Sequence, residues 1–299
     1  MVDISQNVVQ AAQGFVPLQD VTLFSGKASP TTMKLFMPRI NGREFDYIAM
    51  KDSLLEALTD YSLSRRTIQR YIDCQNYRHM TDEARAKFRT YLQNKGELGE
   101  FILFVLLEGH LHAPKILSKM ALKTDNNDYV KGSDGVHFLK LSSGRYHIIF
   151  GESKLYADLT SGFHDAFRSI SAFISSGKED ELRLISSQID NEGFDDEDKE
   201  IITQLLYPAR AKADFKSSDA FGIFVGFEIT VPDEKLRLKE DDFERWIMQL
   251  IASEVTSRVA TIERQIESQG LQGKNFYVYL MPFTNLDETR GKLLEGLVS

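Results

Sequence analysis

Gly132-Ser133-Asp134-Gly135, followed across a short turn by Tyr146-His147-Ile148-Ile149-Phe150-Gly151-Glu152-Ser153-Lys154, is the stretch that decides how the chain is read. Between the two pieces the residues alternate, with Val136, Phe138 and Lys140 on one side and His137, Leu139 and Leu141 on the other. Ser142-Ser143-Gly144-Arg145 supplies a turn, and Tyr146 to Leu155 is rich in the aromatic and β-branched residues that strands favour. The pattern predicts two adjacent antiparallel strands. Because strand side chains repeat every two residues, Glu152 and Lys154 point to the same face, about 7 Å apart along the chain. A tight turn brings Asp134 close to the level of Glu152, so that one face gathers two carboxylates and an ammonium.

That trio is what metal-dependent phosphodiester cleavage requires. Hard carboxylate oxygens suit Mg²⁺, with Mn²⁺ as a substitute, and the ion keeps several waters. Bound there, it polarises a phosphate and lowers the pKa of an attacking water. Asp134 and Glu152 are the candidate ligands, with the Ser153 carbonyl as a third protein donor. Lys154 can orient the water or offset charge on the phosphate in the transition state. Upstream, the apolar run Glu97-Leu98-Gly99-Glu100-Phe101-Ile102-Leu103-Phe104 reads as a helix whose Glu100 can supply a further carboxylate. An isolated Glu-x-Lys on a strand is usually a solvated face. Here the apolar run from Tyr146 to Phe150 implies burial around the charges, and buried charge needs a metal or partners.

A helical Glu, then Asp, then Glu-x-Lys, on an expected α-β-β-β-α-β core, resembles the PD-(D/E)xK nuclease superfamily over roughly residues 100 to 285. Asp134 matches the motif's Asp, Glu152 and Lys154 its Glu-x-Lys, and Glu100 the acidic residue often found on the first core helix. Ser133 stands where the motif has Pro. More narrowly, the helix Gly96-Glu97-Leu98-Gly99-Glu100, the strand Gly132-Ser133-Asp134-Gly135-Val136-His137 and the strand Phe150-Gly151-Glu152-Ser153-Lys154 resemble the HamA family of Hachiman antiphage defence. The resemblance implies an α/β fold with a mixed sheet and a mainly helical N-terminal extension. It further implies a DNA nuclease effector, restrained in complex with a superfamily 2 helicase, HamB, and released when the helicase meets invading DNA.

Upstream of the motif, Val2 to Pro30 predicts strand and loop. Met33 to Met37, Asn41-Gly42 and Glu44 to Met50 predict a hairpin, since Asn-Gly favours the positive φ of tight turns. Ser53-x-x-Glu56 is a capping box for a helix through Tyr61, and further helices are expected after Ser64 and after Thr81. Ser64 to Lys95 carries eight basic residues against three acidic ones, with Tyr71, Tyr77, Phe88 and Tyr91 interleaved. Arg65, Arg66, Arg70 and Arg78 are candidates for phosphate contacts, and exposed aromatics can stack on unpaired bases. The alternative is an ordinary basic helical surface with its aromatics in the core.

Downstream, Thr160 or Ser161 is expected to cap a helix carrying Phe163, Ala166, Phe167, Ile170, Phe173 and Ile174 at helical spacing; His164 and Arg168 on it face either the site or solvent. Residues 179–200 hold ten acidic and two basic side chains. They read as a solvated, mobile insertion, or as a segment that contacts a partner or occupies the basic track when DNA is absent. Asp219 to Val231 predicts a strand buried on both faces. Glu240 to Glu267 predicts a long amphipathic helix, and Phe276 to Met281 a closing strand stopped by Pro282. The expected division is 1–95, with hairpin and basic helices, and 96–299, the nuclease domain, with one compact unit as the alternative.

Composition narrows the function classes. At 42% hydrophobic and 27% charged, the 299 residues can bury a large core. Cys74 is the single cysteine, which excludes an internal disulfide and a cysteine zinc site. The six histidines show no metal-ligand spacing, and His137 reads as structural. A net charge of −8 argues against indiscriminate coating of nucleic acid, though not against a local basic track. No apolar run approaches a membrane span and no secretory pattern opens the chain, so a cytoplasmic location is expected. There is no GxxxxGK[ST] phosphate loop, so the nucleotide hydrolysis that the resemblance implies would belong to the helicase partner. Two other readings stand beside the nuclease effector: a non-catalytic DNA-binding or assembly subunit on the same fold, and a stand-alone restriction or DNA-processing endonuclease.

Overall fold

The computed structural model describes residues 3–91, 96–118, 132–189 and 192–299. Helix α1 (Gln6–Gln13) leads into β1 (Val16–Leu23) and β2 (Thr31–Met37), which pair antiparallel. A minimal hairpin, β3 (Ile40–Asn41) with β4 (Glu44–Phe45), turns at Gly42, whose φ of +66° a glycine tolerates. Four helices follow: α2 (Tyr47–Ser62), α3 (Arg65–Asp73), α4 (Tyr77–Tyr91) and α5 (Glu97–Val105). Then come β5 (Lys115–Ser118), β6 (Gly135–Lys140) and β7 (Tyr146–Tyr156), helices α6 (Leu159–Ala172), α7 (Lys178–Gln188) and α8 (Asp196–Leu206), and strand β8 (Ser217–Glu228). Helix α9 (Glu240–Ser268), β9 (Asn275–Phe283) and α10 (Leu286–Val298) complete the order.

Among the described residues, seven strands form one mixed sheet in the order β1-β2-β9-β8-β7-β6-β5. The middle four, β2, β9, β8 and β7, run parallel, and antiparallel pairs close both edges. This is the mixed α/β architecture expected from the sequence. Parallel neighbours need a crossover; α9 makes the one between β8 and β9, α6 to α8 make the one between β7 and β8, and β2 reaches β9 only through the rest of the chain. The hairpin takes the predicted register, with Val136 opposite Phe150 and Lys140 opposite Tyr146.

Strand β8 shows why both faces are covered. Phe221, Ile223, Val225 and Phe227 belong to one core with Phe163, Phe167 and Ile170 of α6 and Phe243, Ile247, Ile251 and Val255 of α9. Ala220 and Phe224 face a second core with α1, α2, α5 and α10. On that second face β8 also presents Gly222, where an added Cβ would meet Leu107 at 2.8 Å, so the segment after α5 lies directly on the strand backbone. Strand β2 hydrogen-bonds to β9, so the N-terminal strands extend the same sheet that carries the motif.

Several element boundaries differ from the sequence expectation. Residues 6–13 are helical, because Val8, Ala11 and Ala12 recur at helical spacing and are buried. Helix α2 starts at Tyr47, capped by Asp46 Oδ1, which accepts from Ala49 N at 2.8 Å; Ser53 lies inside the helix and donates to Ala49 O. Helix α3 is capped by Ser64 as expected, whereas α4 begins at Tyr77 rather than after Thr81. Asp158, not Thr160 or Ser161, caps α6. Pro282 does not stop β9, because beyond Leu280 the strand has lost its β2 neighbour and pairs only with β8. The acidic stretch contains two helices, α7 and α8, anchored by Ile185, Ile202, Leu205 and Leu206 in the core, which replaces the picture of a solvated insertion.

Candidate active site

The site is built from both faces of β7. Lys154 Nζ lies 2.6 Å from Glu152 Oε1, and Ser169 of α6 hydrogen-bonds the same carboxylate. These side chains share their face with Phe150, whose ring packs 4.8 Å from that of Phe173. Ser153, between them, points to the other face and to α5. A Cβ added at Gly99 would meet Ser153 Oγ at 3.2 Å, so α5 comes this close because position 99 carries no side chain.

Asp134 sits where the two faces meet, at the start of the hairpin. Its N–H donates to Gly151 O at 2.9 Å, and its Oδ2 accepts from Ser153 N at 2.7 Å and Ser153 Oγ at 2.8 Å. A cleft of about 370 Å³ is lined by Asp134, Glu152, Lys154 and Ser169. A second cavity of about 10 Å³, room for one water at most, is lined by Asp134, Glu100, Tyr61, Lys115 and His137. The predicted Asp134, Glu152 and Lys154 therefore line one cleft. Glu100 lies across β7 from Glu152, and Asp134 is the carboxylate common to both spaces.

Electrostatics follow from this crowding. Glu152 is pushed up to about 7, chiefly by burial and then by the Asp134 carboxylate, against the lowering effect of Lys154. Burial pulls Lys154 down, but Glu152, the hydrogen bond between them and Asp134 outweigh it, so the ammonium is raised and stays protonated at neutral pH. Tyr61 is raised well above its ordinary value by burial, then by Glu100, Glu97 and Asp134.

Among the described residues, no three His, Cys, Asp or Glu side chains form a metal-binding group. What the cleft offers is a pair of hard oxygen donors, Asp134 and Glu152, and their mutual repulsion in a poorly solvated place is what a divalent cation relieves. Mg²⁺ is commonly held by one or two carboxylates with waters making up the rest, so the donor set fits it.

The arginines separate into three environments. Arg65 is half-buried: Nη1 donates to Lys115 O at 2.6 Å and Nη2 lies 3.6 Å from Glu108. Arg66 and Arg70 are exposed on α3 and line a large cleft with Arg65. Arg78, on α4, does not line it and lies 3.9 Å from Asp82. Of the interleaved aromatics, Phe88 is core and Tyr77 is exposed, while the side chain of Tyr91 lies outside the described residues.

Residues 16–297 match the model of the HamA family. The chain belongs to the HamA family. The match runs from β1 into α10 and so takes in α3, α5 and the hairpin alike. Membership ties this HamA to Hachiman defence and implies a partner within that system. Among curated proteins no sequence matches. No helix among the described residues of this HamA is long and apolar enough to cross a membrane.

Two contacts of the candidate site escaped the sequence. Ser169 is the α6 residue that reaches Glu152, whereas His164 is exposed and Arg168 pairs with Asp165 at 2.7 Å on the surface. The available signal was a polar residue within the stripe Gly162, Ala166, Ser169, Phe173. Ser133 Oγ donates to Glu181 at 2.7 Å, a contact 48 residues apart in sequence that no local pattern announces.

Proposed function

We propose that this chain is a metal-dependent DNA nuclease and the effector of its defence system. The observation that carries the reading is the convergence of Asp134, Glu152 and Lys154 on one cleft, with Glu152 raised to about 7 by burial and its carboxylate neighbour. The element order α5, β5, β6, β7, α6, β8 supports it as an α-β-β-β-α-β core of PD-(D/E)xK type. Asp134 and Glu152 would hold Mg²⁺ or Mn²⁺ beside the Ser153 carbonyl. The ion supplies Lewis-acid activation of the scissile phosphate and of a water.

The chain's own residues prepare that chemistry. Ser153 fixes the aim of Asp134 by two hydrogen bonds, and Ser169 holds Glu152. Lys154, kept protonated, orients the attacking water and offsets charge building on the phosphate. Glu100, behind Asp134, assists electrostatically through the smaller cavity. Arg66 and Arg70 would take backbone phosphates.

A superfamily 2 helicase is the partner proposed to restrain the nuclease. The reading is tested with supercoiled plasmid and purified chain in Mg²⁺ or EDTA, alone and with the helicase. Mg²⁺-dependent nicking that the helicase suppresses until DNA is supplied supports it. Binding without nicking in every condition favours the non-catalytic subunit, to which the lack of a three-residue metal group among the described residues is the pointer.

A further inference from the structure

The acidic stretch is held at two functionally loaded places. On one side Glu181 of α7, 4% exposed, accepts from Ser133 Oγ at 2.7 Å, and Ser133 immediately precedes Asp134. On the other, the residues leading into α8 lie on α3. Phe194 is buried, with the Arg65 guanidinium 5.1 Å over its ring. Gly193, at φ +76°, comes so near Arg66 that an added Cβ would meet Arg66 N at 2.9 Å. Glu192 is 3% exposed, and the cations acting on it, Lys115, Arg65 and Lys87, come from three elements. Beside this contact, Arg66 and Arg70 line a cleft of about 1370 Å³ together with Asp195 and Asp198 and with the acidic Asp3, Asp60 and Asp73.

Carboxylates placed among arginines cancel the positive potential that a phosphate backbone would need, and a cleft lined by both signs repels phosphates as much as it attracts them. The segment rests on α3 and its neighbours through Phe194, Gly193 and the buried Glu192, with no strand or helix pairing, so it can part from α3 while α7 and the body of α8 stay folded.

We propose that residues 192–198 form an intramolecular anionic latch, occupying the arginine face of α3 and displaced when DNA phosphates bind there. The latch rests on the reading of α3 as a DNA track given above.

The test uses the full chain and a fluorescein-labelled DNA duplex in EDTA, so that binding is read without cleavage. The latch variant Glu192→Gln, Asp195→Asn, Asp198→Asn is compared with Glu240→Gln, Asp241→Asn, Glu244→Gln, which removes the same charge from exposed positions of α9. The latch variant is expected to bind at least tenfold tighter than wild type, and the α9 variant within threefold of it. Adding Arg66→Glu and Arg70→Glu is expected to erase the gain. Equal gains in both triple variants, or none in the first, would overturn the latch.

A second measurement needs no substitution: in hydrogen exchange on wild type at saturating DNA, amides of 192–198 should exchange faster and those of α3 slower. Unchanged exchange over 192–198 would equally overturn it. Neither readout involves hydrolysis, so a chain that shows the latch but never cuts would refute the nuclease and leave the latch standing.

Discussion

Asp134 and Ser153 are joined twice, the Asp134 Oδ2 accepting at 2.7 Å from the serine N–H and at 2.8 Å from its hydroxyl. The residue between Glu152 and Lys154 is thus the one that aims the third member of the site. Ser153→Ala keeps the backbone bond and removes the hydroxyl. A hydrogen bond to a charged group contributes about 1.5–3 kcal/mol, so the variant should fold and lose about tenfold or more in Mn²⁺ affinity, read by calorimetry. Unchanged affinity would mean that Asp134 needs no such support.

The raised Glu152 makes the site a cost to the metal-free fold. The folded chain holds this proton up to about pH 7 while the unfolded chain releases it near 4.5, so between those values the folded state binds more protons and stability falls as pH rises. The full loss, of order 3 kcal/mol, is present above pH 7. In EDTA at pH 8, Glu152→Gln should therefore melt higher than wild type by several degrees, with the gap closing at pH 4.5. A lower melting temperature at pH 8 would contradict the assignment.

The same shift governs metal binding. On the proposed reading an ionised Glu152 is a ligand, so Mg²⁺ affinity should fall about tenfold per unit below pH 7. Lys154→Ala, which removes a cation that lowers Glu152, should move that inflection upward. Calorimetry across pH 5.5 to 8.5 reads both, and a flat profile would count against Glu152 as a ligand.

Arg65 and Arg66 are adjacent in sequence and unlike in place. Breaking a buried pair costs about 3 kcal/mol, and Arg65→Ala removes one of the two cations, Arg65 and Lys115, that act on Glu108, whose side chain is 4% exposed. That variant should lose most of its stability in urea. Arg66→Ala should unfold within about 0.5 kcal/mol of wild type and weaken DNA binding with a shallower salt dependence. Equal stability losses in the two would contradict this division.

How much of this was legible depends on whether the cause was local. The hairpin and its turn could be read because the alternation of 135–141 and the glycine of the turn act within a few residues. Strand β8 and helix α9 declare themselves by apolar pattern alone. The parallel pairing of β2 with β9 joins residues more than 240 positions apart and leaves no mark on either segment. Glu100 was found but not its side of β7, because that depends on how closely Gly99 lets α5 approach. Arg65 could not be told from Arg66, since its partners Glu108 and Lys115 arrive from elsewhere in the fold. The acidic stretch misled because its charge is conspicuous, while the few apolar residues that seat α7 and α8 are not.

The central claim is that Asp134, Glu152 and Lys154 cut DNA, and its most direct test is nicking of supercoiled plasmid in Mg²⁺ by wild type beside Glu152→Ala and Lys154→Ala, with DNA binding measured on the same preparations. The account predicts Mg²⁺-dependent nicking by wild type, at least a hundredfold slower in each variant, with binding retained in both. Nicking that persists in either variant, or a wild type that binds DNA and never cuts it with or without the proposed helicase partner, would contradict it.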